Sequence, residues 1–382
     1  MTDPATQVEA VDSLSRIAPD AWDACAGEDS PFLRHAFLHS LEEAGCVAPE
    51  TGWQPQHLVI RDDAGRPRSV MPCYLKGHSQ GEYVFDHAWA EAWHRAGGRY
   101  YPKLLSAVPF TPVAGPRLLT RDDAPESDRA ALLDALRQLA ARHGVASAHI
   151  TFLTEEEAAL AESRDYLLRT DQQFHWFNRG YDSFDDFLAA LASRKRKQIR
   201  KERRAALDDD MTVHILTGRE IDESHWDAFY AFYQDTGLRK WGRPYLNRDF
   251  FSLLGARMAD SIVLIMARRG GRWIAGALNL LGGDTLYGRY WGCVEDHAFL
   301  HFELCYYQAI DYAIAHGLAR VEAGAQGPHK IARGYEPVPT RSAHWLPDPG
   351  FADAVRRYLE IERRDVDDAI GFLQVHTPFR RG

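Results

Sequence analysis

Eight of the eleven residues from Arg194 to Arg204 are lysine or arginine, and Glu202 is the only acid among them. At helical spacing Arg196, Arg200 and Arg203 or Arg204 lie three or four residues apart on one face, where guanidinium groups can hold phosphate oxygens through paired N–H donors. The plain structural alternative is a solvated face anchored through Ile199, its cations answered by Asp208 to Asp210. A second concentration of reactive types runs from Glu322 to Trp345. Gly324-Ala325-Gln326-Gly327-Pro328 follows a strand end there, and Gly324 and Gly327 let backbone N–H groups approach a bound group closely. His329, Lys330 and Arg333 come next. Lys330 suits the polarisation of a carbonyl or the holding of a phosphate, and one preorganised donor at an oxyanion is worth roughly 10²–10³ in rate. The third concentration is Tyr287-Gly288-Arg289-Tyr290-Trp291-Gly292, followed by His301-Phe302-Glu303. Strand alternation predicts Tyr287, Arg289 and Trp291 on one face and Tyr290 with Leu286 on the other. An arginine flanked by aromatics suits a planar or anionic ligand. His301 or Glu303 can serve as a general base, a role worth roughly 10²–10⁴; Glu303 also suits the first turn of a helix as a plain anion.

Several other chemistries find no support. Cys293, His297, His301 and Cys305 recur every fourth residue, but Trp291-Gly292 reads as a strand end and the helix as starting near residue 300, so no metal site is assigned. Cys305 reads as a small buried apolar residue. There is no GxSxG elbow, no GxGxxG and no phosphate-binding GxxxxGK[ST]. The five cysteines stand far apart without a CxxC, and free thiols fit a reducing, cytoplasmic setting. With 45 basic and 54 acidic side chains the net charge is -9, so the average field repels phosphate and any polyanion site is a local patch. Met1 to Asp12 is polar and acidic, unlike a signal peptide, and the longest apolar run, Ile262 to Ala267, is too short to span a bilayer.

The elements that must position these residues follow from periodicity. Over 382 residues two domains are expected, split near residue 180 into 1–180 and 181–382, the second holding the chemistry-bearing segments. The first dozen residues read as a loose arm. His57 to Arg61 and Ser69 to Leu75 read as strands around the polar turn Asp62-Asp63-Ala64-Gly65. Arg129 to His143 reads as a helix with Leu132, Leu133, Leu136 and Leu139 on one face, followed by a strand at His149 to Leu153 and a helix at Glu155 to Glu162. The second half predicts helices at Phe184 to Leu191, Arg194 to Leu207 and His225 to Asp235. It then predicts strands at Ile262 to Ala267, Trp273 to Leu281 and Thr285 to Trp291, a helix at Phe302 to His316 and a strand at Leu318 to Ala323. Each half thus passes from a β-meander through a helix ending in His-Gly into another strand, the pattern of two copies of one α/β unit. Tyr100-Tyr101-Pro102-Lys103 and Val108 to Pro112 read as rigid loop or edge-strand material, with Lys103 as a second phosphate contact.

In combination, Gly81-Glu82-Tyr83-Val84-Phe85-Asp86, Tyr100 to Leu105, Val108 to Val113, Gly115 to Leu119, Ser193 to Arg203, His301-Phe302-Glu303, Gly324 to Lys330, Arg333 to Pro337, Thr340 to Trp345 and Thr377-Pro378-Phe379 resemble the FemAB-like predicted N-acyltransferases, a bacterial branch of the GNAT superfamily. The resemblance covers roughly residues 12 to 380. It implies an α/β fold of two GNAT-like domains in tandem, with mixed sheets flanked by helices. It also implies acyl or aminoacyl transfer to an amine in a small molecule, a peptide or a cell-wall precursor. The donor substrate it implies is an acyl-CoA or another acyl carrier, or an aminoacyl-tRNA, with no tightly bound cofactor. The Gln/Arg-x-x-Gly-x-Gly/Ala loop of ordinary acetyltransferases is absent. On this reading Glu303 or His301 takes the amine proton, Lys330 and the backbone of Gly324 to Gly327 hold the oxyanion, and Tyr290 protonates the leaving group. Arg196, Arg200, Arg203, Arg289, Trp291, Gly324, Gln326, Gly327, His329, Arg333 and Lys103 bind substrate. The alternative is a non-catalytic protein that recognises an anionic ligand through the basic helix on the same scaffold.

Overall fold

A computed structural model describes residues 6–207, 210–240, 244–324 and 327–380. The chain forms two compact units, Met1–Asp171 with Pro339–Asp368, and Gln172–Val338 with Ala369–Gly382.

The first unit begins with β1 (Val8–Val11), which pairs antiparallel with β3 and corrects the expectation of a loose arm over the first dozen residues. Val11 reaches the interior, and that burial is what holds the segment. Helices α1 (Pro19–Ala26) and α2 (His35–Glu43) follow, then β2 (Trp53–Pro55), β3 (His57–Arg61), β4 (Pro67–Met71) and β5 (Tyr74–Lys76). The turn between β3 and β4 is closed by Asp62, whose carboxylate accepts from the backbone N–H groups of Ala64 and Arg66. The expected single strand from Ser69 to Leu75 breaks at Pro72-Cys73 and enters two sheets: β4 joins the order β1-β3-β4-β7, whereas β5 pairs with β2 and β6. Next come α3 (His87–Arg95), β6 (Lys103–Ser106), β7 (Leu119–Thr120), α4 (Ser127–His143), β8 (Ala148–Leu153) and α5 (Glu155–Glu162). Strand β6 lies between β5 and β8 and is not an edge. Leu132, Leu133, Leu136 and Leu139 of α4 are all buried, packed with Leu58, Met71, Leu104 and Ile150.

The second unit takes over within β9 (Leu167–Phe177) and continues through α6 (Phe184–Ala190), α7 (Ser193–Ala206), β10 (Met211–Thr217), α8 (Glu223–Lys240) and α9 (Arg248–Met258). Then β11 (Ile262–Arg269), β12 (Arg272–Gly282) and β13 (Thr285–Cys293) form an antiparallel meander with β10 on its outer side. A helical segment follows in three parts: α10 (Leu300–Phe302), a π turn (Glu303–Tyr307) and α11 (Gln308–Ala315). It leads to β14 (Arg320–Glu322), which pairs parallel with β13 and antiparallel with β9. Helix α8 buries Trp226, Phe229 and Phe232, three residues apart, and packs closely on the meander. A Cβ added at Gly292 of β13 would lie 2.2 Å from the Phe232 carbonyl oxygen, so only glycine admits the helix there. The late residues Pro378 and Phe379 fix the start of α7. Ala192 N–H donates to Pro378 O at 2.8 Å, and Phe379 bridges to Leu191.

The chain then passes through β15 (Glu336–Trp345), whose later residues pair antiparallel with β8, and ends in α12 (Pro349–Val375). Among the described residues no helix is long and apolar enough to cross a membrane.

Candidate active site of the second unit

Strands β13 and β14 stay paired only from Thr285↔Arg320 to Tyr287↔Glu322. Beyond that point β14 ends, the chain turns off at Gly324 with φ 76°, and β13 runs on to Cys293. At the same level β13 carries a bulge, Gly288 and Arg289 together standing opposite Asn279 of β12. A small open cleft lies where the two strands part. Its lining comes from Ala277 to Asn279, from Gly288 to Trp291, from His301, Cys305 and Tyr306, and from Ala323.

The bulge also corrects the strand faces. An extra residue reverses the alternation beyond it, so Tyr287 and Trp291 fall on opposite faces and Tyr290 returns to the side of Tyr287. Trp291 packs with the core that holds Leu286 and Ala277, its ring 5.2 Å from that of His301. Tyr290 meets Tyr233 of α8 at 5.6 Å.

The polar groups around the cleft form three sets. Arg289 is buried, faces Glu322 at 3.5 Å and lies 5.2 Å from the Tyr287 ring; Glu322 also lies 3.9 Å from His175 and 3.8 Å from Arg320. Lys330 donates to the carbonyl oxygens of Ala323 at 2.6 Å and Gly324 at 3.1 Å, tying the 3-10 turn Pro328–Arg333 to the end of β14. Burial lowers its ammonium to about 7. His329, exposed, meets Tyr306 Oη through Nε2 at 3.0 Å. Gly324 and Gly327 flank this loop, and Gln326 lies outside the described residues.

Helix α7 divides its charges between two faces. Glu202 turns inward with Ile199 and Ala206, accepting from Arg333 at 2.9 Å and from the Tyr307 hydroxyl. Arg333 lies 3.4 Å over the Phe302 ring. Arg203 also turns inward, donating to Glu303 at 3.0–3.2 Å and pairing with Asp311 at 2.7 Å, while the Phe184 ring lies 4.3 Å away. The expected face of Arg196, Arg200 and Arg203 is therefore redrawn, because the buried Glu303 on the π turn and the half-buried Asp311 on α11 attract one of its members. Arg194, Lys197, Arg200, Lys201 and Arg204 are exposed along one arc of the helix, Arg196 is half-buried at its border, and Arg200 pairs with Asp185 at 2.8 Å. Glu303 is fully buried between Arg203 and Gln308 and is not part of the cleft lining; burial raises its carboxyl.

Lys103 stands in the first unit. Its three N–H donors go to Ser79, Glu82 and Asp86 at 2.5–2.8 Å, and its side chain is 1% exposed. Tyr100 donates to the same Asp86, and His149 on β8 meets His344 on β15 at 2.7 Å. Motifs distant in sequence thus close into one buried polar cluster.

Cys305 was expected to be buried. It is half-exposed and lines the cleft, as does Asn279, which no sequence pattern marked. The charge opposite Arg289 falls to Glu322, the first residue of the Gly-rich segment singled out above. Among the described residues no group of His, Cys, Asp and Glu side chains is arranged to hold a metal ion.

The profile of the FemAB_like family, described as peptidoglycan biosynthesis/recognition, matches residues 13–381. No curated protein matches the chain. Among solved structures the chain is similar to FemX, with TM-score 0.54 and 12% identity over 92% of this chain and 100% of that one. It is also similar to the C-terminal domain of a putative lysylphosphatidylglycerol synthetase from Agrobacterium fabrum, with TM-score 0.53 and 10% identity over 88% and 95% of the two chains. A tandem GNAT protein from the clavulanic acid biosynthesis pathway overlaps 90% of this chain and 99% of its own, with TM-score 0.46 and 12% identity. At such identities likeness speaks for the fold, and the profile match over nearly the whole chain speaks for the family. The chain belongs to the FemAB_like family.

Proposed function

We propose that this protein transfers an acyl or aminoacyl group from an aminoacyl-tRNA or an acyl thioester to an amine of a peptidoglycan precursor or peptide. The cleft at the parting of β13 and β14 carries this reading, because a base, His301, and a bulged backbone line it, and Lys330 donates to the carbonyl of Ala323 in its lining. The amine attacks the donor carbonyl. His301, which lines the cleft, takes the amine proton and returns it to the leaving oxygen or sulfur. Lys330 and the loop it ties supply positive potential to the oxyanion. Glu303 is a positioning residue: it holds Arg203 and with it the turn that follows His301. The exposed arc Arg194, Lys197, Arg200, Lys201 and Arg204 holds donor phosphates.

The test is filter binding of charged tRNA over a salt series, with the wild type and a Lys197→Glu/Lys201→Glu/Arg204→Glu variant, alongside amide formation from charged tRNA and from acyl-CoA. The wild type is expected to bind with a steep salt dependence. The variant should lose roughly 2 in that log–log slope, since each phosphate contact contributes about 0.7 to 0.9. Failure to bind at low salt would move the donor to acyl-CoA or an acyl carrier. A protein that forms no amide from either class of donor is not the transferase proposed.

A further inference from the structure

Asn279 is a polar residue in an apolar row. Alternation along β12 puts it on one face with Ala277 and Leu281. Both of those pack in the core of the second unit with Val263, the partner of Asn279 on β11, and with Leu286 of β13. Asn279 is 1% exposed and belongs to the lining of the cleft. Its amide is held in one sense. Nδ2 donates to Val263 O at 3.1 Å and to Ala277 O at 3.2 Å, which uses both N–H donors and turns Oδ1 toward β13. There Gly288 stands opposite, and a Cβ built on that glycine would lie 3.2 Å from Oδ1. The bare face of Gly288, also in the lining, therefore borders this oxygen. Among the described residues Oδ1 has no hydrogen-bond donor, although buried acceptors are ordinarily satisfied. His301, Cys305 and Tyr306, from the helical segment packed on the same core, line the cleft as well. A neutral oxygen so placed calls for an N–H or O–H of a ligand and disfavours a carbonyl, carboxylate or phosphate oxygen.

We infer that Asn279 holds the attacking amine and restricts the acceptor to primary amines. The inference rests on the transfer reading above. A neutral primary amine brings two hydrogens on nitrogen. As the nitrogen attacks the acyl carbon, the carbon–nitrogen bond forms and the carbon–oxygen or carbon–sulfur bond to the donor breaks. One hydrogen passes as a proton to His301 and from there to the leaving oxygen or sulfur. The other stays on nitrogen and becomes the N–H of the product amide. Asn279 Oδ1 accepts from this second hydrogen throughout, which fixes the rotation of the amine so that its lone pair meets the acyl carbon. A secondary amine has a single hydrogen, and that one goes to His301. The carbon in place of the other then sits against Oδ1 and leaves it unsatisfied. A site built around such a hydrogen bond rejects the analogue that lacks it.

Glycinamide and its N-methyl analogue sarcosinamide test this, with charged tRNA and acetyl-CoA as donors. From wild type to Asn279→Leu, the ratio of kcat/KM for glycinamide to that for sarcosinamide is expected to fall roughly 10- to 100-fold, the worth of a hydrogen bond left unmade by a buried group. The intrinsic reactivities of the two amines cancel in this comparison. So does any loss of folded protein, because both amines meet the same preparation. Gly288→Ala keeps both Nδ2 bonds and sets its methyl group against Oδ1, so it should lose the same selectivity. Amide formation with a ratio unchanged in both variants overturns the inference and leaves the transferase reading intact. If neither donor yields amide, the transferase reading falls, and ligand-observed NMR of the two neutral amines without donor decides for the amine site. Tighter binding of glycinamide by the wild type, lost in Asn279→Leu, supports it. Equal binding of the two amines by the wild type, or binding of neither, overturns it.

Discussion

Replacing Glu303 by glutamine separates an anchor from a base. The carboxylate is fully buried, accepts from Arg203 at 3.0–3.2 Å and from Gln308 at 2.7 Å, and shares Arg203 with Asp311 at 2.7 Å. Glutamine keeps the size and an oxygen for Gln308 but removes the charge facing Arg203. Removing one partner of a buried ion pair costs about 3–5 kcal/mol. Arg203 keeps Asp311 and its side chain is 22% exposed, which places the expected loss near the lower end, about 3 kcal/mol. For a unit of this size that is a fall in Tm of about 6–12 °C. Thermal unfolding followed by tryptophan fluorescence reads it directly, and amide-transfer kinetics on the same preparations read the site. The expected result is a large fall in Tm, a modest loss of kcat/KM and an unchanged pH profile. A variant that melts within about 2 °C of the wild type while losing its rate and its acidic pH limb would make Glu303 the proton acceptor and refute the anchor assignment.

Three further outcomes follow from the same geometry. Lys103→Met leaves Glu82 and Asp86 facing each other in the first unit, a loss of about 3–5 kcal/mol at neutral pH. Burial pushes Asp86 up, but the Lys103 charge more than offsets it and holds that carboxyl well below the usual range. Its stabilisation is therefore present at neutral pH and lost as pH falls below the ordinary carboxylate value, whereas the variant should melt higher as acid protonates the pair; Tm against pH in both proteins checks the sign. Lys330, lowered to about 7 from 10.5, is charged only below about pH 7 in the folded chain, so kcat/KM should fall as pH rises through 7, and Lys330→Arg, always charged, should remove that limb. The same shift makes folding more favourable with rising pH between 7 and 10.5, because there the unfolded chain binds the extra proton. Gly292→Ala drives a methyl group against the backbone of Phe232 and Tyr233, and calorimetry should show a loss of about 3 kcal/mol.

Much of the scaffold was legible because it obeys one period at a time. The leucines of α4 spaced for a helix are all buried, and the glycine pairs at 270–271 and 282–283 fall at the ends of the meander's hairpins. The faces around Arg289 were not legible, because one inserted residue reverses alternation and leaves no mark in composition. Arg203 could not be told from Arg204 in a run of like charges. What separates them is Glu303, 100 residues away in the chain. Lys103 carried the right chemistry for a phosphate and proved to be enclosed by Glu82 and Asp86, acids whose nearness depends on the turn between β5 and β6. The π turn over Glu303–Tyr307 had no sequence signal at all.

The path of the chain through β15 and the final residues bears on how the protein is made. The first unit lacks a strand of its sheet until Arg341 to Trp345 reach β8, and the second lacks the tie at Leu191 and Ala192 until Pro378 and Phe379 exist. A nascent chain on the ribosome can therefore assemble most of either unit early yet finish neither until these later segments have emerged. Each must wait in a partly open state for its own late segment, and a cut anywhere near residue 180 yields two incomplete halves.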